Sequence, residues 1–149
     1  MSIIAENISY LYGRGTPFEK QALTDISFKI DDGDFIALIG HTGSGKSTLI
    51  QTLNGLIKPD SGRIVVNGVD ITQPKVDMKK LRSTVGLVFQ YPEYQLFEET
   101  VYKDIAYGPT NLGFTPEEID GVIHEVISVV GLDEEILSRS PFELSGGQK

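Results

Sequence analysis

Cysteine is absent from this sequence of 149 residues, so the chain can form neither disulfides nor thiolate zinc sites. Long apolar runs are also missing. The longest, at positions 35–39, is five residues, where a membrane-spanning helix needs about 20. The first ten residues lack the basic stretch and apolar core of a secretory signal. These absences fit a cytosolic protein, for which any membrane role would come through a partner.

Basic residues are outnumbered, with 13 lysines and arginines against 21 aspartates and glutamates and a net charge of −8. Broad binding to a nucleic-acid backbone needs the opposite balance, so a nucleic-acid partner is disfavoured. A local pocket for a small anion is still compatible with this composition. The length suits one domain with a sizeable core.

Apolar patterning predicts strands in the first part of the chain. Alternation at Ile26, Phe28 and Ile30 is typical of a half-buried strand, and the apolar run Phe35–Ile39 indicates a strand buried in a parallel sheet. A short hairpin is predicted at Arg63–Val66. Its turn would be Asn67-Gly68, and a further apolar strand would cover Thr84–Phe89.

Two stretches predict helices. The first has one apolar face and should end at Lys58-Pro59. The second begins at Thr115, which is followed three positions later by a glutamate, and it should end at Gly131. The first face comprises Leu49, Ile50, Leu53, Leu56 and Ile57, and the second Ile119, Val122, Ile123, Val126, Ile127 and Val130. We therefore expect a mixed α/β part over residues 1–89 and a helical part over 90–149.

A glycine-rich stretch, GHTGSGKS at positions 40–47, fits the phosphate-binding pattern G-x-x-x-x-G-K-[ST]. Its glycines allow a tight turn whose backbone N–H groups point at phosphate oxygens, and the following helix adds its own free N–H groups. Lys46 would reach the β- and γ-phosphates, Ser47 would ligate Mg²⁺, and Thr48 would add a phosphate contact. The predicted nucleotide-binding residues are Gly40, His41, Thr42, Gly43, Ser44, Gly45, Lys46, Ser47 and Thr48.

The alternative for this stretch is a glycine-rich turn that matches the pattern by accident. The preceding apolar strand and the following amphipathic helix argue against it. His41 and His124 are the only histidines, and no cluster of metal ligands surrounds them in the sequence. We interpret both as surface or loop residues rather than catalysts.

A second motif, LSGGQ at positions 144–148, lies near the end of the sequence. Physically, Ser145 would cap a helix, and the two glycines after it would leave backbone N–H groups available to an anion. A serine-capped helix start without a ligand is the alternative. Gln90, which ends a predicted strand, precedes this motif by 54 positions.

The phosphate loop, Gln90 and LSGGQ together resemble the ATP-binding cassette family over essentially the whole chain. The resemblance implies an α/β phosphate-loop ATPase core with an antiparallel β-subdomain and a helical subdomain, truncated at its C-terminal end. In that family two ATPase domains pack head to tail, and each ATP lies between one phosphate loop and the partner's signature motif. ATP and Mg²⁺ are the implied cofactors.

Residue roles follow from this resemblance. Lys46 and Gln90 would be the catalytic residues present, and Ser47 and Gln90 the Mg²⁺ ligands. Tyr12, which follows the first predicted strand, would stack on adenine, although it could instead be a packing residue at a strand end. Across the dimer, the γ-phosphate would be contacted by Ser145, Gly146, Gly147 and Gln148.

A narrower resemblance is to the ATPases of energy-coupling factor transporters, which take up vitamins and transition-metal ions such as cobalt. It rests on VFQYPEYQLF at positions 88–97, on TV at 100–101 and on DIAYGP at 104–109. GTPFE at 15–19 and SPFE at 140–143 are similar to the second of that system's two paralogous ATPases. The implied partners are the paralogous ATPase, an integral membrane coupling subunit and a substrate-binding membrane subunit, at the cytoplasmic face of the membrane.

In that family the segment after Gln90 docks a helix of the membrane subunit. The alternative is that Tyr94, Leu96 and Phe97 simply pack within the helical subdomain. A later aspartate, glutamate and switch histidine complete the family's catalytic site, and the sequence ends at Lys149, before them. We therefore expect negligible ATPase activity and an unpaired sheet edge.

Three function classes remain. The leading one is a transport ATPase, of the energy-coupling factor type or of another importer class. The second is a soluble nucleotide-driven switch on DNA or ribosomes, which the net charge of −8 and the 53 residues between Gln90 and Leu144 disfavour. The third is a module that binds nucleotide without hydrolysing it. The transported substrate is not encoded in these residues.

Overall fold

A computed structural model describes all residues from 1 to 149. The chain divides into two compact units, Met1–Leu87 and Val88–Lys149. The first unit contains every β-strand, and the second is built of helices only. Each unit is described by itself below.

The first unit is organised around a four-stranded antiparallel sheet in the order β2-β1-β3-β4. Its strands are β1 (Ile3–Tyr12), β2 (Lys20–Ile30), β3 (Ser61–Val66) and β4 (Val69–Asp70). The alternation predicted at Ile26, Phe28 and Ile30 is confirmed in β2, where these residues are half-buried between exposed neighbours. The predicted hairpin is also confirmed.

The turn of that hairpin joins β3 to β4 through Asn67 and Gly68, which have φ angles of 47° and 80°. Positive φ at both central residues is the requirement of the type I′ turn, which follows the natural twist of two antiparallel strands. Asparagine and glycine adopt that conformation at low cost. The dipeptide therefore fixes the register in which Val66 faces Val69.

One apolar core lies in the first unit, between the sheet and the helices α1 (Lys46–Leu53) and α2 (Met78–Thr84). Ile8 and Ile64 are fully buried at its centre. The other buried members are Ile3, Ala5, Leu23, Leu49, Leu53, Val66, Ile71, Leu81 and Val85. Helix α2, which the sequence analysis did not predict, begins at the cap residue Asp77, whose side chain accepts from the Lys80 N–H.

Two predicted strands are absent from the sheet. Phe35–Ile39 forms no strand, and its end residues Phe35 and Ile39 are 98% and 91% exposed. Thr84 ends α2, and residues 85–89 pair with no strand, leaving Val88 82% exposed. An apolar run shows that a segment tends to be buried, but a strand also needs a neighbour that supplies hydrogen bonds. The described chain offers none at these positions.

Helix α1 is shorter than predicted, since it ends at Leu53 rather than at Lys58. Asn54 follows it, and Gly55 adopts a φ of 70°, the left-handed conformation that closes many helices. The N–H groups of Leu56 and Ile57 both donate to the Gln51 carbonyl, so these residues fold back over the last turn. The apolar spacing continues past the end of the helix.

The second unit contains α3 (Val101–Leu112), α4 (Pro116–Val130) and three short 3₁₀ segments, Pro92–Gln95, Glu134–Ser138 and Pro141–Glu143. Its core is formed where α3 and α4 pack on the segment Glu134–Ser138. The buried members are Val101, Ile119, Ile123, Ile127, Ile136, Leu137 and Leu144. Leu144, from the signature motif, is therefore a core residue of this unit.

Helix α4 begins and ends as predicted. Thr115 accepts from the Glu118 N–H, the Glu118 carboxylate accepts from the Thr115 N–H, and Gly131 closes the helix with a φ of 71°. Its buried stripe is narrower than predicted, because Val126 and Val130 are 41% and 59% exposed. Only the stripe through Ile119, Ile123 and Ile127 contacts the core. No helix in either unit has the length and apolar character that crossing a bilayer requires.

The capping box of α4 gives a prediction about stability. Replacing Thr115 by alanine removes the acceptor of the Glu118 N–H, so we expect the free energy of unfolding to fall by about 1 kcal/mol. Urea denaturation followed by circular dichroism measures it. Ser128→Ala, an exposed change in the same helix, should not lower stability. Equal stability of Thr115→Ala and the unmodified chain would contradict the role of the cap.

Candidate nucleotide site

The glycine-rich stretch forms a tight loop that leads directly into α1. Gly43 and Gly45 adopt φ angles of 83° and 89°, which side-chain-bearing residues rarely do. A β-carbon on Gly45 would lie 2.4 Å from the Ala22 carbonyl oxygen of β2, far inside contact distance. The pattern therefore requires glycine here for two reasons, the left-handed backbone and the close approach of β2.

Several backbone N–H groups of this loop have no acceptor within the chain. The Ser44 N–H donates to the His41 carbonyl, and the Leu49 N–H makes the first helical bond, to Gly45. The N–H groups of residues 45–48, between these two bonds, donate to no group of the protein. They are the free donors of a helix N-terminus, where the helix dipole also favours a negative charge.

The ammonium group of Lys46 lies within the loop. It donates to the carbonyl oxygens of Gly40 at 2.6 Å and of His41 at 2.9 Å. A lysine ammonium has three donors, so one is not used by these two bonds. Residues 40–48 contain no carboxylate, although the chain as a whole is acidic. The loop thus concentrates positive charge and free N–H groups in one place.

The two residues after Lys46 have different environments. Ser47 is exposed, so its hydroxyl is accessible to a ligand. Thr48 is only 7% exposed, and its hydroxyl lies 3.2 Å from that of Tyr12, within hydrogen-bond distance. Sequence reasoning did not find this link, because the two residues are 36 positions apart and no local pattern joins them.

Tyr12 lies at the end of β1, as expected from its position after the first strand. Its ring is 4.8 Å from that of Tyr10, edge to face, and 40% of the residue is exposed. The aromatic pair and the bond to Thr48 hold the ring beside the start of α1. Tyr12 and the phosphate loop are therefore brought together within the first unit.

Neither histidine belongs to a cluster of metal ligands, and no group of three or more histidine, aspartate or glutamate side chains could hold a metal ion. His41 is exposed, with its Nδ1 2.9 Å from the Thr42 carbonyl oxygen. His124 lies on the surface of the second unit, with its Nδ1 2.9 Å from a Glu134 carboxylate oxygen. This contact was not predicted, since Glu134 follows the end of α4.

Gln90 lies in the second unit and is exposed, at the start of a segment rich in exposed aromatic side chains. Tyr94 is 83% exposed, with its ring 5.8 Å from that of Tyr91. Phe97 is 57% exposed although its ring packs edge to face on Tyr107 of α3, at 4.8 Å. Packing within the unit thus covers part of the Phe97 side chain but little of the Tyr94 side chain.

The signature stretch forms a single turn. The Ser145 carbonyl accepts from the N–H groups of Gln148 and Lys149, and the Gln148 side-chain oxygen accepts from the Ser145 N–H. The predicted side-chain cap is wrong in this structure, because the Ser145 hydroxyl bonds to no backbone N–H. The N–H groups of Gly146 and Gly147 have no acceptor in the chain, which fits the expected set of bare amides.

In the second unit, the groups whose pKa values are shifted lie on α3 or just before its first residue. A hydrogen bond from Lys103, together with its charge, lowers the pKa of Glu99, and the same contact raises the pKa of Lys103. Desolvation, with a smaller contribution from a hydrogen bond to Asp120, raises the pKa of Tyr102. Glu99 and Lys103 form an exposed ion pair, and Tyr102 is partly buried against the core of the unit, so these shifts reflect local surroundings rather than a catalytic group.

Similar proteins were found by sequence. A protein of Caldanaerobacter subterraneus subsp. tengcongensis, named energy-coupling factor transporter ATP-binding protein EcfA2, is 60% identical over 149 residues, which are the whole chain and 52% of that protein. The protein of the same name from Clostridium tetani is also 60% identical, over the whole chain and 52% of its own length. The chain spans about half the length of these relatives, and the resemblance to energy-coupling factor ATPases is confirmed.

Solved structures agree in fold. CbiO1 of Clostridium perfringens, described as part of the ABC transporter complex CbiONQ, is 36% identical with a TM-score of 0.80 over 98% of this chain and 56% of that one. The ATP-binding cassette MJ0796, a dimer bound to ADP and Pi, is 25% identical with a TM-score of 0.85, over 98% of this chain and 64% of that one. The expected fold class is confirmed.

The sequence profile of the ABC transporter family matches residues 23–149, which include the phosphate loop, Gln90 and the signature turn. With the antiparallel subdomain, the glycine geometry and the relatives, this match establishes that the chain belongs to the ABC transporter family.

Proposed function

We propose that this chain is the ATP-binding part of an energy-coupling factor ABC transporter, which couples ATP binding and hydrolysis to uptake of a vitamin or a transition-metal ion. The observation that carries the proposal is the phosphate loop, where free N–H groups at the start of α1 lie beside the Lys46 ammonium. The named relatives, which are energy-coupling factor ATP-binding proteins, support the transporter type.

ATP would bind with its phosphates on residues 40–48. The N–H groups of residues 45–48 would donate to phosphate oxygens, and Lys46 would exchange its bonds to the Gly40 and His41 carbonyls for bonds to the β- and γ-phosphates. Thr48 would contact phosphate through its backbone rather than its side chain. Its hydroxyl is buried against Tyr12, so a further phosphate contact from Thr48 would come through its backbone N–H.

Mg²⁺ fits the donors that the site offers. The exposed Ser47 hydroxyl is a hard oxygen ligand of the kind that this ion prefers. By the resemblance to the ATP-binding cassette family, Gln90 would add an amide oxygen. Phosphate oxygens and water would be further ligands, as is usual for Mg²⁺ at nucleotide sites. Bound Mg²⁺ would neutralise charge on the β- and γ-phosphates. Gln90 would also orient the attacking water.

Adenine would stack on Tyr12. The hydrogen bond between the Tyr12 and Thr48 hydroxyls and the ring contact with Tyr10 fix the Tyr12 ring beside the loop. The ring is therefore ordered before adenine binds. A preordered aromatic platform loses little entropy on binding.

The second unit would contact partners. Ser145, Gly146, Gly147 and Gln148 would bind the γ-phosphate of ATP held by a paralogous ATPase subunit, packed head to tail. Bare N–H groups at both glycines support this role. The exposed aromatic residues Tyr91, Tyr94 and Phe97 would dock the integral membrane coupling subunit, with a substrate-binding membrane subunit beside it. The chain would therefore sit at the cytoplasmic face of the membrane, as a peripheral subunit.

Replacing Lys46 by alanine tests the central assignment. Because it removes a charged donor to the phosphates, we expect the Kd for Mg-ATP, measured by calorimetry on the full-length protein, to rise at least about 10-fold. Lys79→Ala, an exposed change on α2, is the matched control and should bind as the unmodified protein does. The assignment of the loop would be refuted by an unchanged Kd for Lys46→Ala.

Two substitutions at Tyr12 separate stacking from hydrogen bonding. Tyr12→Phe removes only the bond to Thr48, whereas Tyr12→Ala also removes the ring. We expect Tyr12→Ala to weaken ATP binding about 10-fold relative to Tyr12→Phe, as lost base stacking would. Fluorescence titration with a labelled ATP analogue gives both constants. If the alanine and phenylalanine variants bind equally well, adenine does not stack here.

The docking segment is tested with Tyr94. Tyr94→Ala removes an exposed ring that makes little contact within its own unit, so it should reduce capture of the detergent-solubilised membrane coupling subunit without lowering thermal stability. Val129→Ala, at an apolar site on α4 that is 79% exposed, serves as the control. Undiminished capture by Tyr94→Ala would argue that the segment is not the docking surface.

A further inference from the structure

We infer that Lys20 is a second cation of the nucleotide site, one that binds the phosphate chain from the side of β2. This inference rests on the proposed function, because it assumes that residues 40–48 hold ATP. Lys20 lies outside the phosphate-loop motif, and its role arises from the way β2 packs on the loop.

Two contacts place the start of β2 against the phosphate loop. The Ala22 carbonyl oxygen lies 2.4 Å from the position that a β-carbon on Gly45 would occupy. The Lys20 ammonium lies 3.9 Å from the corresponding position at Gly43. Since both glycines are in the tightest part of the loop, β2 forms one of its walls, and Lys20 is the charged group on that wall.

The Lys20 ammonium is also available to a ligand. The side chain is exposed and takes part in none of the ion pairs of the chain. The neighbouring carboxylate, Glu19, instead accepts a hydrogen bond from the Gly15 N–H, within the turn between β1 and β2. An ammonium without a carboxylate partner, beside a loop of free N–H groups, is a site for phosphate oxygens.

The pairing of β1 with β2 sets which part of a nucleotide Lys20 would contact. Lys20 is the cross-strand partner of Tyr12, the residue proposed to stack on adenine. It therefore lies between the base platform and the loop, whereas Lys46 lies inside the loop. Lys20 should bind the phosphates nearest the base, which ATP and ADP share, and should not distinguish the two nucleotides.

The test compares Lys20→Gln with Lys20→Arg in the full-length protein, by calorimetry with ATP and with ADP. We expect the glutamine variant to bind both nucleotides about 5-fold more weakly, because it loses one partly screened charge contact. The arginine variant keeps the charge and should bind both nucleotides nearly as well as the unmodified protein. Adenosine, which lacks phosphate, should bind to both variants with the same affinity. Lys79→Gln, exposed on α2, is the matched control and should leave the affinity unchanged.

Measurements at several salt concentrations distinguish the loss of a charge from a structural effect of the substitution. The Debye length falls from about 30 Å at 0.01 M salt to about 3 Å at 1 M, which is comparable to an ion-pair distance, so the deficit of Lys20→Gln should shrink over this range. A deficit that is independent of salt, or equal weakening by glutamine and arginine, would show a structural effect of the substitution and overturn the inference.

Lys46→Ala in the same series distinguishes the two proposals. If Lys46→Ala loses ATP binding while Lys20→Gln binds as the unmodified protein does, the inference about Lys20 is wrong and the nucleotide site stands. If Lys46→Ala binds ATP normally, the nucleotide site itself is wrong, and the inference about Lys20 fails with it.

Discussion

The close contact between the phosphate loop and β2 is the constraint on which the candidate site depends. At Gly45 the loop approaches the Ala22 carbonyl so closely that no β-carbon fits, and the backbone is in the left-handed region. This contact constrains the backbone at the start of α1, where the N–H groups of residues 45–48 donate to no group of the protein. It also brings the Lys20 side chain to the loop, while β1, paired with β2, carries Tyr12 to Thr48. A change at Gly45 would therefore displace Tyr12, the loop and the two lysines together.

Features set by neighbouring residues could be predicted from the sequence. The phosphate loop, the Asn67-Gly68 turn and the capping box of Thr115 with Glu118 each depend on backbone conformations that a few adjacent side chains decide. In such cases the residue types determine the local backbone conformation. The positions of Ser47, Lys46 and the two loop glycines followed from the same reasoning, because the motif is a single turn followed by a helix.

Features that depend on distant partners could not be predicted in this way. Phe35–Ile39 has the composition of a buried strand, yet no strand pairs with it in this structure. Hydrophobicity indicates a preference for burial and says nothing about the donor of the hydrogen bonds. The contact of Tyr12 with Thr48 and that of Lys20 with the loop are of the same kind, since each joins residues more than 20 positions apart through the packing of β1 and β2.

The charge of the chain makes the placement of its few cations more important. With a net charge of −8, the surface as a whole repels a nucleotide triphosphate at low salt. At physiological ionic strength charges beyond about 8 Å are largely screened, so affinity depends on the donors within the first few ångströms. Here those donors are backbone N–H groups, which are fixed by the fold and carry no counter-charge, together with Lys46 and Lys20. An acidic protein can thus bind an anion because its loop is free of carboxylates and its amides are already oriented.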